Sequence, residues 1–83
     1  MVIEFEQGVS QYVSERKWHA SQVVETIGNG RVRVSLKVAI TPELHAWILG
    51  FGSSAKIVSP VRLAEEVAVK AMEIANIYSK KAG

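Results

Sequence analysis

Residues 31–40 read RVRVSLKVAI, in which Val32, Val34, Leu36, Val38 and Ile40 alternate with Arg31, Arg33, Ser35, Lys37 and Ala39. A repeat of two places every second side chain on the same face of an extended chain, so this stretch predicts a long strand with one core face and one polar, basic face. Gly28-Asn29-Gly30 stands directly before it. Glycine and asparagine tolerate the positive φ of a tight hairpin turn, which makes Ser21 to Ile27 the strand that pairs with it.

The remaining elements follow from the same kind of pattern. Val2-Ile3-Glu4-Phe5-Glu6 puts Ile3 and Phe5 on one side and Glu4 and Glu6 on the other, a half-buried strand. Val9, Tyr12 and Val13 recur at helical spacing and predict a short amphipathic helix ending near Arg16. Thr41-Pro42-Glu43 is a helix start, combining a capping hydroxyl, a proline whose missing donor is harmless at the first position and an acid near the positive helix end. Leu44, Trp47, Ile48 and Phe51 then form its apolar stripe, and Gly50-Phe51-Gly52 marks its stop. Ala55 to Val58 reads as a fourth strand, and Ser59-Pro60 repeats the cap-and-proline signal before a long helix over about 61–78.

Strand, helix, strand, strand, helix, strand and an appended helix is the order of a ferredoxin-like βαββαβ sandwich plus a C-terminal helix. That fold class is α+β, with a four-stranded antiparallel sheet in the spatial order 4-1-3-2 and two helices on one face. Strand three then lies beside strand one, so Arg31, Arg33 and Lys37 share the open face with Glu4 and Glu6 and are expected to pair with them. A chain of 83 residues supports one domain, over 1–83.

Composition narrows the chemistry. The chain has no cysteine, hence no disulfide framework, no thiolate zinc site and no cysteine nucleophile, which suits a reducing, cytoplasmic compartment. All 8 acidic residues are glutamates, so a Ser-His-Asp triad or an aspartyl dyad cannot come from this chain. His19 and His45 fall on different predicted elements with no ligand-type neighbour at metal-binding spacing, and no nucleophile accompanies either. We therefore expect no enzyme activity, no metal and no cofactor. No apolar run approaches the roughly 20 residues that cross a bilayer, and no membrane association is expected.

Net charge is only +2, a weak electrostatic footprint for a nucleic-acid binder. The open face of strands one and three also lacks the aromatic residues on which RNA-recognition sheets stack bases. Gly50-Phe51-Gly52 follows a helix, whereas a dinucleotide-binding glycine motif opens one. On the last helix, Leu63, Val67, Ala71, Ile74 and Tyr78 make one apolar stripe, Ala64, Ala68, Met72 and Ala75 an adjacent one, and Glu66 with Lys70 an i,i+4 pair. A helix of this length exceeds what a small sheet covers, so Ala64, Ala68, Met72 and Ala75 are candidates for self-association.

Several stretches in order carry a resemblance. Glu15-Arg16-Lys17-Trp18-His19-Ala20-Ser21-Gln22, the glycine-turn hairpin, Leu44-His45-Ala46-Trp47-Ile48-Leu49-Gly50-Phe51-Gly52 and Ile57-Val58-Ser59-Pro60-Val61-Arg62-Leu63 together resemble the C-terminal extension, or WCX domain, of WYL-domain transcriptional regulators. The resemblance runs from about Ile3 to Tyr78. It implies a fragment of a larger bacterial regulator with an N-terminal winged helix-turn-helix and a central WYL effector domain, neither of which this chain contains. The implied partners are those domains and a second copy in a homodimer, with DNA contacted only through the N-terminal domain. The implied function is regulatory: dimerisation, interdomain contacts or effector sensing. By position, Trp18, His19 and Gln22 are candidates for a ligand or interface site, while Trp47, Gly50, Gly52 and Pro60 are architectural. Arg16, Arg31 and Arg33 are added to the candidates for their charge. The alternative is a free-standing ferredoxin-like protein that binds a small ligand or single-stranded nucleic acid.

Overall fold

The computed structural model describes residues 1–79. The elements are β1 (Val2–Phe5), α1 (Gln7–Ser14), β2 (Val23–Gly28), β3 (Arg31–Ser35), α2 (Pro42–Leu49), β4 (Ala55–Ser59) and α3 (Val61–Ser79), with a 3-10 turn over Gly52–Ser54 before β4. The strands form one antiparallel sheet in the order β2-β3-β1-β4, which read from the other edge is the expected 4-1-3-2.

One face of this sheet holds the core. Ile3 and Phe5 from β1, Val32 and Val34 from β3, Leu36 just beyond it, and Ile57 from β4 are buried together with Val13 of α1, Ile48 of α2 and Leu63 of α3. β1 and β3 contribute alternate residues, as the pleat requires, and each helix contributes one buried residue from its apolar face. β2 forms the outer edge and has no buried residue. The β2–β3 turn places Gly28 at φ 100°, Asn29 at 54° and Gly30 at 75°, the left-handed region that the sequence anticipates.

Several boundaries differ from expectation. β3 stops at Ser35 although its alternation continues to Ile40, because its neighbour β1 begins at Val2, the partner of Ser35. Leu36 still exchanges hydrogen bonds with Met1, at 2.9 Å in each direction, and is buried. Beyond it Val38 is half-buried and Ile40 is 47% exposed, so the core face ends where strand pairing ends. β2 begins at Val23, and α1 closes at Ser14 with Glu15 as its C-terminal cap.

Both helix starts fall where the sequence places them, but the capping group before α3 differs. Thr41 caps α2, its hydroxyl oxygen accepting from Leu44 N at 3.2 Å, with Pro42 in the first turn. Before α3, Ser59 is the last residue of β4, and it is the Pro60 carbonyl that accepts from Leu63 N and Ala64 N, so Pro60 precedes the helix. At the end of α2, Gly50 keeps a right-handed conformation at φ −63° and Gly52, at φ 59°, supplies the left-handed turn.

α3 outruns the domain. Its Leu63, Ala64 and Val67 pack on the core, but every residue from Ala68 to Ser79 is exposed. The radius of gyration, 13.9 Å, reflects this overhang, since a compact chain of this length would have about 12 Å.

Candidate functional site

Five of the chain's six aromatic residues converge on the helical side of the sheet, although they are spread from position 5 to position 51. Phe5 is the buried root, edge-on to Phe51 at 5.0 Å between centroids and to Trp47 at 6.2 Å. Trp47 and Phe51 lie one helical turn apart at the end of α2 and meet at 5.2 Å. Tyr12 of α1 approaches Phe51 at 6.4 Å and Trp18 at 5.9 Å, and Trp18 completes the cluster against Trp47 at 5.2 Å. Edge-to-face pairs of this kind add about 0.5–1.5 kcal/mol each beyond the area they bury.

The segment between α1 and β2 holds Trp18 in place through a closed set of hydrogen bonds. The Trp18 indole N–H donates to the Val13 carbonyl at 3.1 Å, satisfying an acceptor at the open end of α1. Gln22 clamps the segment with both ends of its amide: Oε1 accepts from Trp18 N at 2.7 Å and Nε2 donates to the Arg16 carbonyl at 2.9 Å. The Arg16 guanidinium lies 4.0 Å over the Tyr12 ring, a cation–π contact that covers the outer side of the cluster. His19 turns back on Ser21, with Nδ1 accepting from Ser21 N at 3.0 Å and 2.7 Å from Ser21 Oγ. Because Nδ1 is an acceptor, the neutral ring carries its proton on Nε2.

Two hollows flank the Trp18–Trp47 pair. The first, about 290 Å³, is lined by Trp18, His19, Leu36, Val38, Ala39, Thr41, Glu43, Leu44 and Trp47. The second, about 520 Å³, lies toward Tyr12, Gly50 and Phe51. Just past the end of β3, Leu36, Val38 and Ala39 supply the aliphatic wall of the first hollow.

Four of the sequence candidates, Arg16, Trp18, His19 and Gln22, therefore belong to one site. Arg31 and Arg33 do not, because they project from the opposite face of the sheet, where Glu4 accepts from Arg33 at 3.0 Å and lies 3.6 Å from Arg31. Glu25 is 3.7 Å from Arg33, and the register adds Lys56 beside Glu4, so Lys56, Glu4, Arg33 and Glu25 form a row of alternating charge across all four strands. Glu6 takes no part, since β1 ends at Phe5, and Lys37 lies beyond the end of β3. Trp47, expected as architecture, and Phe51, expected in the apolar stripe, are also walls of the hollows, and Glu43 and Leu44 join them. The aromatic content of residues 5–18 and 47–51 is what marks this in the sequence, but only the fold brings it together.

Along α3, Ala64 faces the core, whereas Ala68, Met72 and Ala75 are exposed, Met72 at 65%. The expected Glu66–Lys70 pair does not form. Glu66 is held by Arg62 at 3.4 Å and by His45 Nε2 at 3.1 Å, and Lys70 turns to Glu73 at 3.3 Å. His45 Nδ1 is also 3.0 Å from the Thr41 carbonyl, so this ring ties α2 to the root of α3. No group of metal-ligating side chains occurs among the described residues, and none of their helices is long and apolar enough to cross a membrane.

Among known families, the sequence model described as the WCX domain matches residues 1–75. No curated protein matches the chain.

Proposed function

The chain belongs to the WCX domain family, and on that premise we propose that it is a non-catalytic regulatory module of a WYL-type transcriptional regulator, acting by dimerisation and interdomain contact through α3 and by effector sensing beside Trp18. The ferredoxin-like description of the fold is part of the same reading, supported by the βαββαβ order and the strand order.

The observation that carries it is the overhang of α3. At helical spacing, Leu63, Val67, Ala71, Ile74 and Tyr78 share one face. Its first two members pack on the domain's own core, whereas Ala71, Ile74 and Tyr78 continue it into solvent, Tyr78 at 82% exposure. An apolar face that begins as core and continues without a cover is the pattern of a helix completed by a partner. Ile48, Leu49, Ala55 and Val67 line an apolar groove of about 380 Å³ beside Ala71 and Ile74, which gives such a partner a recess to fill.

Light scattering over a concentration series tests the self-association. The mass is expected to rise from one chain toward two, and Met72→Glu or Ile74→Glu to hold it at one. A single-chain mass throughout the series would reject dimerisation by α3. The nucleic-acid alternative has less support, because the arginines of the open sheet face are neutralised by Glu4 and Glu25 and its strands present no aromatic residue.

A further inference from the structure

We propose that the first hollow, beside the Trp18–Trp47 pair, is a binding site for a small organic cation, an amine carried on an apolar body. The inference rests on the sensing part of the reading above and assigns it a ligand chemistry.

Three features of the wall point the same way. Trp18 and Trp47 supply two indoles, and Leu36, Val38, Ala39 and Leu44 supply an aliphatic surface, so the site suits a ligand with an apolar body. Among the described residues, the only formally charged side chain in the wall is the Glu43 carboxylate; neither lysine nor arginine lines it, although Lys17 and Lys37 are close in sequence. Among the described residues Glu43 makes no ion pair, so its charge is available to a ligand. A carboxylate beside π faces attracts a cation and repels an anion, and indole is the strongest of the aromatic faces for this purpose.

Size and order fit the same occupant. A volume of about 290 Å³ is ample for a ligand of the phenylethylamine class. Part of the wall is set in advance: Trp18 is fixed by Val13 and Gln22, and the Thr41 hydroxyl by its cap on α2. Little ordering is left for binding to impose.

The test is a titration of the 83-residue chain followed by the two tryptophan indole N–H resonances, with phenylethylamine, phenylpropionate and phenylethanol as matched cation, anion and neutral probes. Phenylethylamine is expected to shift both resonances saturably and to bind about tenfold more tightly than the anion. Glu43→Gln should erase that preference and Trp18→Leu should abolish binding, the spectra showing directly that each variant is folded. An acetylated peptide bearing one lysine is run beside them; tighter binding than the free amine would assign the same cation site to a protein side chain. Equal affinity for the three probes, or no shift with any, overturns the proposal. Light scattering on the same samples keeps this outcome separate from the association by α3.

Discussion

Glu4 and Arg33 stand directly opposite each other on β1 and β3, the guanidinium donating from Nη2 at 3.0 Å and from Nε at 3.3 Å to one carboxylate oxygen. The Glu4 side chain is only 16% exposed, so this pair is screened less than a free surface bridge. A double-mutant cycle with Glu4→Gln and Arg33→Gln is expected to return a coupling of about 0.5–1 kcal/mol in urea unfolding.

The same pairing predicts how the sheet responds to nucleic acid. The unaltered chain should show little affinity for a single-stranded oligonucleotide at low salt. Glu4→Gln with Glu25→Gln uncovers Arg31 and Arg33 and should produce weak binding that disappears as salt is raised. Fluorescence anisotropy of a labelled oligonucleotide measures both.

Gln22 positions Trp18 without belonging to the aromatic cluster. Gln22→Ala removes both hydrogen bonds of the clamp and is expected to cost about 1–2 kcal/mol. It should also leave Trp18 more open to acrylamide quenching, with Trp47 unchanged. Trp47→Phe isolates the Trp18 signal.

Leu63 and Met72 test the two halves of one helix. Leu63 is fully buried, and Leu63→Ala should cost about 2–5 kcal/mol in thermal or urea unfolding. Met72→Ala, at 65% exposure, should change the stability of the single chain by less than about 0.5 kcal/mol. Any larger effect of Met72→Ala that grows with protein concentration measures association instead.

Gly30 combines a positive φ with a crowded neighbour. Its φ is 75°, and a Cβ there would fall 2.6 Å from Gln7 Cγ. Gly30→Ala should destabilise the chain by about 1–2 kcal/mol, and adding Gln7→Ala should restore only the steric part. Gly28→Ala, with a positive φ but open space around it, gives the backbone contribution alone.

What the sequence conveyed and what it concealed divide along physical lines. Local chemistry was legible: the glycine-asparagine turn, the Thr41 cap and the period-two faces of β1 and β3 depend on residues within a few positions of one another. The extent of β3 was not, because Val38 and Ile40 continue the alternation but a strand lasts only as long as its neighbours do. The site was half legible. Arg16, Trp18, His19 and Gln22 form a cluster in sequence, whereas the contributions of Glu43 and Trp47 from α2, and of Phe51 just past its end, are contacts made across the fold. Arg31 and Arg33 were assigned by charge alone, and charge does not tell which face of a sheet a ligand would meet.

The rooting of α3 gives the domain a mechanical property. His45 and Glu66 join α2 to the base of the helix, and α2 also carries Glu43 and Trp47. From Ala68 to Ser79 the free arm is about 18 Å long, so a tilt of about 10° at the base would swing its tip by about 3 Å. Any tilt of α3 at its root would therefore be largest at Tyr78, at the far end of the exposed apolar face.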